Sequence, residues 1–289
     1  MDVLMQSVLT ALALGALYGA LGIGFVIVHR LTGMVNFAMG DIAVAGAFGA
    51  VVASSVLPPL AAIGVGALTG AVVSVLMYHL AIHPLRHQSL MVQTIVTLGV
   101  GIAIRSAIQL IFGTGPRQFE PITSGSSLTI LGGSIPLQSL WLVGLTVVGY
   151  LGLAFFFDRT LSGKALSAFS VNAYAAGVVG ISLTVMATIA FALSGAIAGG
   201  VLAAQVPTSF ITAGAGLALG LKGFIAAILG GFEKLGLTLV GGFIVALVEV
   251  LVARNVSAAQ ASTIVFLLLI VLLVVRPQGL TRKVAADRV

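Results

Sequence analysis

The 289 residues are 60% hydrophobic and only 7% charged, with 37 glycines and no cysteine, whereas an ordinary soluble domain carries about 25% charged residues. This composition excludes a soluble domain and places the chain in a lipid bilayer; the absence of thiols excludes a disulfide framework and a cysteine metal site. The formal charge of +6 does not point to nucleic acid, because the basic residues are scattered at the ends of apolar runs rather than gathered with aromatics on one face.

A helix needs roughly 20 apolar residues to cross the hydrocarbon core. Hydropathy and breaker residues predict spans near 4–28, 34–56, 60–80, 90–112, 139–157, 183–205, 216–231, 235–253 and 261–275. The first begins MDVLMQSVLTALALGALYG, which lacks the basic region of a secretory signal and reads as a retained span. The expected fold is therefore all-α: a polytopic transmembrane helix bundle of about 8–10 spans, one domain over 1–289, in which 34–56 and 216–231 are the candidates for broken or re-entrant helices. With the N-terminus outside, Arg30, Arg86, Arg159, Lys164, Lys234, Arg276, Arg282, Lys283 and Arg288 fall on the cytoplasmic side and only Arg117 and Arg254 outside, so the positive-inside rule predicts N-terminus out and C-terminus in.

In chain order, Gly15/Gly19, Gly66/Gly70, Gly195/Gly199 and Gly216/Gly220 have the i,i+4 spacing that lets membrane helices approach closely. The stretch TGMVNFAMGD (32–41) places Gly33 and Gly40 where a helix would break, with Asn36 able to cap the following piece and Asp41 about 10 Å from the inner end of its span at 1.5 Å per residue. Asn36 and Asp41 either satisfy the backbone of a broken helix or line a passage with Phe37 and Gly40, and one arrangement serves both. His79, His83 and His87 are spaced i, i+4, i+8, but Pro84 interrupts that face and no carboxylate lies near in sequence, so they read as interfacial residues rather than metal ligands.

The outer connection 113–139 is rich in Gly, Pro and Ser, with the weak alternation SLTIL, and predicts a short hairpin or an ordered loop. The inner connection 158–182 is polar, nearly uncharged and helix-favouring after Gly163, with Leu166, Phe169 and Ala173 on one short amphipathic face. Such a helix outside the bilayer needs a surface to dock on, either this chain's own or a soluble partner's. A faint echo links LTGMVNFAMGD (31–41) with LKGFIAAILGG (221–231), the kind of repeat transporters carry.

Catalytic chemistry is poorly provided for. There is no P-loop, since Gly163-Lys164 is followed by Ala165, and no Ser/His/Asp set or paired carboxylate within the spans. The expectation is a non-enzyme with no bound metal or cofactor of its own. What remains are ionisable residues inside spans, each costly in hydrocarbon: Asp41, Arg105, Lys222 and Glu249. Counted along their spans, Arg105, Lys222 and Glu249 share a depth near the outer surface, and Glu249 is expected to neutralise one of the two cations.

The segment GMVNFAMGDIAVAGAF resembles the Asn-Phe-Ala-x-Gly-Asp stretch of the permease subunits of high-affinity branched-chain amino acid ABC importers. AAGVVGIS (175–182), FALSGAIAGGVLA (191–203), LGLKGFIAAILGGFEKLGLTLVGGFIVALVE (219–249) and VFLLLIVLLVVRPQGL (265–280) follow that family in order, and the first half is closer to its H-type. The resemblance implies a second related permease, two cytoplasmic ATP-binding subunits carrying ATP and Mg, a periplasmic or lipid-anchored substrate-binding protein, and a bacterial inner-membrane location. It also implies that Asn172, Ala175, Ala176 and Gly180 dock into the ATPase. Two departures stand out: Met39 where the family often has His before Gly-Asp, and Glu233-Lys234 in place of a neutral Gly-rich turn. Relatives carrying urea, short amides or aromatic acids remain alternatives for the substrate, and an ion-coupled secondary transporter is the alternative class.

Overall fold

A computed structural model describes residues 2–123, 125, 127–130 and 132–275. The RPQGL segment and the cations at 276, 282, 283 and 288 lie outside the described residues. The described residues form eleven α-helices: α1 Asp2–Thr32, α2 Met39–Ala53, α3 Pro59–Met77, α4 Leu90–Phe112, α5 Leu137–Arg159, α6 Leu161–Val171, α7 Ala173–Val178, α8 Leu183–Gln205, α9 Gly216–Leu229, α10 Leu235–Asn255 and α11 Ala258–Val275. One antiparallel hairpin, β1 Ser127–Ile130 and β2 Gly133–Pro136, interrupts them with Ser127 opposite Pro136. The chain is an all-α polytopic bundle.

Each predicted span contains a helix, but nine full-length helices are not what forms. Among the described residues six helices are long and apolar enough to cross a membrane; α2 and α9 have 15 and 14 residues. At 1.5 Å per residue these reach only about 21–23 Å, short of the roughly 30 Å hydrocarbon core. Before α2, residues 33–38 are non-helical: Gly33, at φ 74°, ends α1, and the chain then runs through Asn36. Before α9, residues 206–212 lack α-helix and only a short 3₁₀ turn, Ala213–Ala215, precedes Gly216.

Helix directions follow from the residues that touch. Gly15 and Gly19 face Phe243 and Leu239, so α1 and α10 are antiparallel; Gly66 and Gly70 face Ala203 and Gly195, so α3 and α8 are as well. Met39 and Gly46 meet Ser194 and Gly199, so α2 runs with α8, while Tyr18 and Leu21 meet Lys222 and Gly223, so α9 runs with α1. Exchanging α1–α4 with α8–α11 maps each of these pairings onto another, and the half-length helix is second in both quartets. This is the inverted-repeat pattern of transporters. The residue echo noted above is out of register with it: Gly33 has left-handed backbone at the end of α1, whereas Gly223 lies inside α9.

Small residues make these crossings possible. A Cβ on Gly15 would lie 2.7 Å from the Cα of Phe243, and one on Gly66 2.7 Å from the Cβ of Ala203. All four i,i+4 glycine pairs sit at such contacts, where dispersion between close backbones replaces the hydrophobic drive that lipid does not supply. The outer connection folds over one end of the bundle, with Gln138 donating to the Ala204 carbonyl and accepting from the Ile122 amide, and Arg117 pairing with Ile211.

Candidate functional site

The break at residues 33–38 builds the site. The Asn36 side-chain carbonyl accepts from the Ala38 amide at 3.1 Å, a local turn that presets the chain two residues ahead of α2. It does not cap the helix, at whose N-cap position Ala38 there is no side-chain cap hydrogen bond. The amide of Phe37 is instead satisfied by Thr97 Oγ1 of α4 at 3.0 Å. The Nδ2 of Asn36 is buried with no partner among the described residues, a costly state for a donor in an apolar interior. Phe37 stacks on Phe224 of α9, with ring centroids 5.3 Å apart.

The two half-length helices then abut through their N-termini. A Cβ on Gly40 would collide with the Gly216 carbonyl and stand 2.7 Å from the Gly220 amide nitrogen. Asp41, in the first turn of α2, lays its carboxylate against Gly216, the first residue of α9, and against Gly101 of α4, where a Cβ would be 2.8 Å from Oδ2. One carboxylate thus lies beside the positive ends of two helix dipoles. Arg105 completes the arrangement: Nε donates to Oδ1 at 3.1 Å and Nη2 to Oδ2 at 3.3 Å, the two-pronged geometry that favours Arg over Lys. The Asp41 side chain is 3% exposed and that of Arg105 25%. The buried anion is therefore paired with a cation that is partly exposed.

Lys222 and Glu249 form a second ion pair. Lys222 Nζ lies 2.5 Å from Glu249 Oε1 and 3.3 Å from the Tyr18 hydroxyl, and that hydroxyl donates to Glu249 Oε2 at 2.8 Å. The closed triangle joins α9, α10 and α1 with every bond satisfied internally. Of the two cations expected as partners for Glu249, Lys222 is the one it neutralises, while Arg105 pairs with Asp41 instead. Tyr18 was missed, because a lone aromatic in an apolar span carries no signal of its partner. Gly101, Gly216 and Thr97 were missed for the same reason.

On the inner connection, Thr160 caps α6 by accepting from Gly163, and Asn172 caps α7 by accepting from Ala175. The helix begins at Leu161 rather than after Gly163, and Leu166 and Phe169 turn inward onto the chain's own core. The side chain of Ala173 lies outside the described residues. Asn172, Ala175 and Gly180 are exposed beside the apolar Val171, Tyr174, Val178 and Val179. Ala176 is buried, so it anchors α7 and is not part of the exposed face.

His79 and His83 lie together against Thr188 and Thr184 of α8, their ring centroids 6.1 Å apart, whereas His87 lies past the helical turns. The end of α3 widens into a π-turn, Tyr78–Ile82, and then tightens into a 3₁₀ turn, His83–Leu85; His79 meets Thr188, and Arg86 bridges His83 and His87. Among the described residues no group of three or more His, Asp or Glu is placed to hold a metal.

The chain matches the family model described as branched-chain amino acid transport system / permease component over residues 7–275. It is 25% identical over 301 residues to the high-affinity branched-chain amino acid transport system permease protein BraD of Pseudomonas aeruginosa, covering 99% of this chain and 98% of that one. It is 25% identical over 306 residues to the Escherichia coli protein of the same description, LivH, covering 99% and 97%. A probable branched-chain amino acid transport permease protein LivH of Methanocaldococcus jannaschii is 26% identical over 282 residues, 90% of this chain and 87% of that one.

Proposed function

The chain belongs to the family of branched-chain amino acid transport permeases, on its H-type side, and from that premise we propose that it is the membrane subunit of an ATP-driven importer that moves leucine, isoleucine, valine or similar small amino acids into the cytoplasm. The family is a transport permease and not an enzyme, and the chain is a multi-pass membrane protein. The observation that carries the proposed role is the junction of α2 and α9. Two half-length helices with lead-in segments that are not α-helical, a buried carboxylate and a partly exposed guanidinium supply polar groups inside an apolar bundle, as a passage requires.

On this reading Asn36, Phe37, Gly40 and Asp41 border the passage, with Arg105 at its opening. ATP and Mg are bound by two cytoplasmic subunits, a second related permease completes the membrane part, and a binding protein delivers substrate to the outer end near residues 113–139. The exposed apolar face of α7 with Asn172, Ala175 and Gly180 docks on the ATPase, since an uncharged helix is cheap to desolvate. Rigid displacement of that helix then alternates access. The N-terminus lies outside and the C-terminus inside a bacterial inner membrane. Ion coupling is disfavoured because Asp41 and Glu249 are each held by a cation.

The test is a pull-down of the tagged chain from native membranes in mild detergent, followed by ATPase assay and by uptake in vesicles. Two P-loop ATPases and a second permease in the eluate, with ATP-dependent uptake of leucine, are the expected result. Recovery of this chain alone, with uptake that needs no ATP, would overturn the reading.

A further inference from the structure

A second polar feature is an open cavity of about 590 Å³ at the end of the bundle where α1 and α5 finish and α10 begins. Its wall holds four formal charges, Arg30, Asp158, Glu233 and Lys234, two of each sign, and among the described residues none of the four forms an ion pair. The rest of the lining includes the apolar side chains of Ala154, Phe157 and Val240. Arg30 stands over the Phe157 ring at 6.0 Å, which leaves its guanidinium donors without a carboxylate.

The turn that brings Glu233 and Lys234 to this wall is strained. Gly231 and Phe232 adopt φ values of 72° and 56° in succession, and Phe232 is the one described non-glycine residue with positive φ. A bulky residue keeps that conformation only where its surroundings over-determine it. Here Phe232 is held by His29, with centroids 4.6 Å apart, and by Phe224 at 5.9 Å. Phe224 also packs on Phe37 of the passage, so the turn is joined through two aromatic contacts to the proposed route.

We propose that this cavity binds a zwitterion with an apolar side chain, namely a free amino acid of the transported class on the cytoplasmic side. The proposal rests on the transport reading above for its choice of ligand. The ammonium group is met by Glu233 and Asp158, the carboxylate by Arg30 and Lys234, and the aliphatic side chain by Ala154, Phe157 and Val240. All four charged side chains are exposed, so a zwitterion exchanges water for charge-assisted hydrogen bonds at both of its ends, whereas a simple cation or anion engages only one pair. A phosphatidylethanolamine headgroup presents the same chemistry from the bilayer.

The experiment is equilibrium binding of radiolabelled leucine to the purified whole complex in nanodiscs, without the binding protein, with ATP-driven uptake measured in parallel on the same complex in vesicles supplied with the binding protein. Glu233→Gln and Lys234→Gln are each expected to weaken binding roughly tenfold or more, the effect of losing one charge-assisted hydrogen bond, whereas Gly99→Ala, outside the cavity lining and with open space around it, leaves this binding in place. Equal binding in discs with and without phosphatidylethanolamine assigns the site to the free amino acid. Binding seen only when that lipid is omitted assigns it to the headgroup and overturns the amino acid site. Absent or variant-insensitive binding in a complex that takes up leucine overturns the site and spares the transport reading. A complex that takes up no leucine but binds it with the expected sensitivity supports the site and overturns the transport reading.

Discussion

Arg105 grips Asp41 across the break in the chain, its Nε and Nη2 at 3.1 and 3.3 Å from the two carboxylate oxygens, and so ties α4 to the meeting point of α2 and α9. The pair is lopsided: the anion is buried and the cation partly open. Removing either partner has different consequences.

Asp41→Asn leaves a guanidinium without its counter-charge, and breaking a buried pair costs about 3–5 kcal/mol. Partial exposure of Arg105 holds the effect near the low end, about 3 kcal/mol. The expected outcome is a lowered unfolding temperature in detergent together with slowed uptake. The double variant Asp41→Asn/Arg105→Gln recovers stability without recovering uptake; recovery of both would make the pair purely structural.

Gly40→Ala and Gly216→Ala press a methyl group into a neighbouring backbone or carboxylate, which cannot swing aside as a flexible side chain does. Overpacking of this kind costs about 1–3 kcal/mol and can cost more. Gly64→Ala and Gly99→Ala, which meet nothing within 4 Å, are the controls; gaining helix propensity, they are expected to be neutral or stabilising by up to about 1 kcal/mol. Thermal unfolding of the four variants distinguishes junction glycines from incidental ones.

The Tyr18–Lys222–Glu249 triangle predicts non-additive losses. Tyr18→Phe removes hydrogen bonds to charged groups, about 1.5–3 kcal/mol, while Glu249→Gln strands a buried ammonium at about 3–5 kcal/mol. Because the three share one network, the double variant is expected to lose less than the sum, by about 0.5–3 kcal/mol. A strictly additive result in denaturation would mean that the three groups act independently.

At the inner face, Tyr174→Asp and Val178→Asp change exposed side chains and are expected to alter stability by less than about 0.5 kcal/mol while abolishing co-purification of the ATPase. Ala176→Arg forces a long cation into a buried position and is expected to lower the unfolding temperature first. Retention of the ATPase by both Asp variants would move the docking surface elsewhere.

The amino-acid sequence by itself determined the class of this protein. Apolar runs of fixed length can only be bilayer spans, i,i+4 glycines mark close crossings, and four ionisable residues in hydrocarbon mark positions that need partners. Those are local properties, readable from spacing and cost of burial. The sequence also located the break before Asp41 through Gly33, whereas Gly40, its other expected breakpoint, lies inside α2.

What the tertiary structure decided was who meets whom. Asp41 was placed near the inner end by counting 1.5 Å for each residue from 34, a helical rise that does not hold for residues 33–38, which are not helical. Asp41 instead meets Arg105, seven residues short of the end of α4. The meeting of Gly40 with Gly216, the Tyr18 triangle and the gathering of Arg30, Asp158, Glu233 and Lys234 around one cavity join residues far apart in the chain, and spacing along a sequence holds no record of them. They follow from helix directions and depths, which packing fixes only when all the helices are assembled.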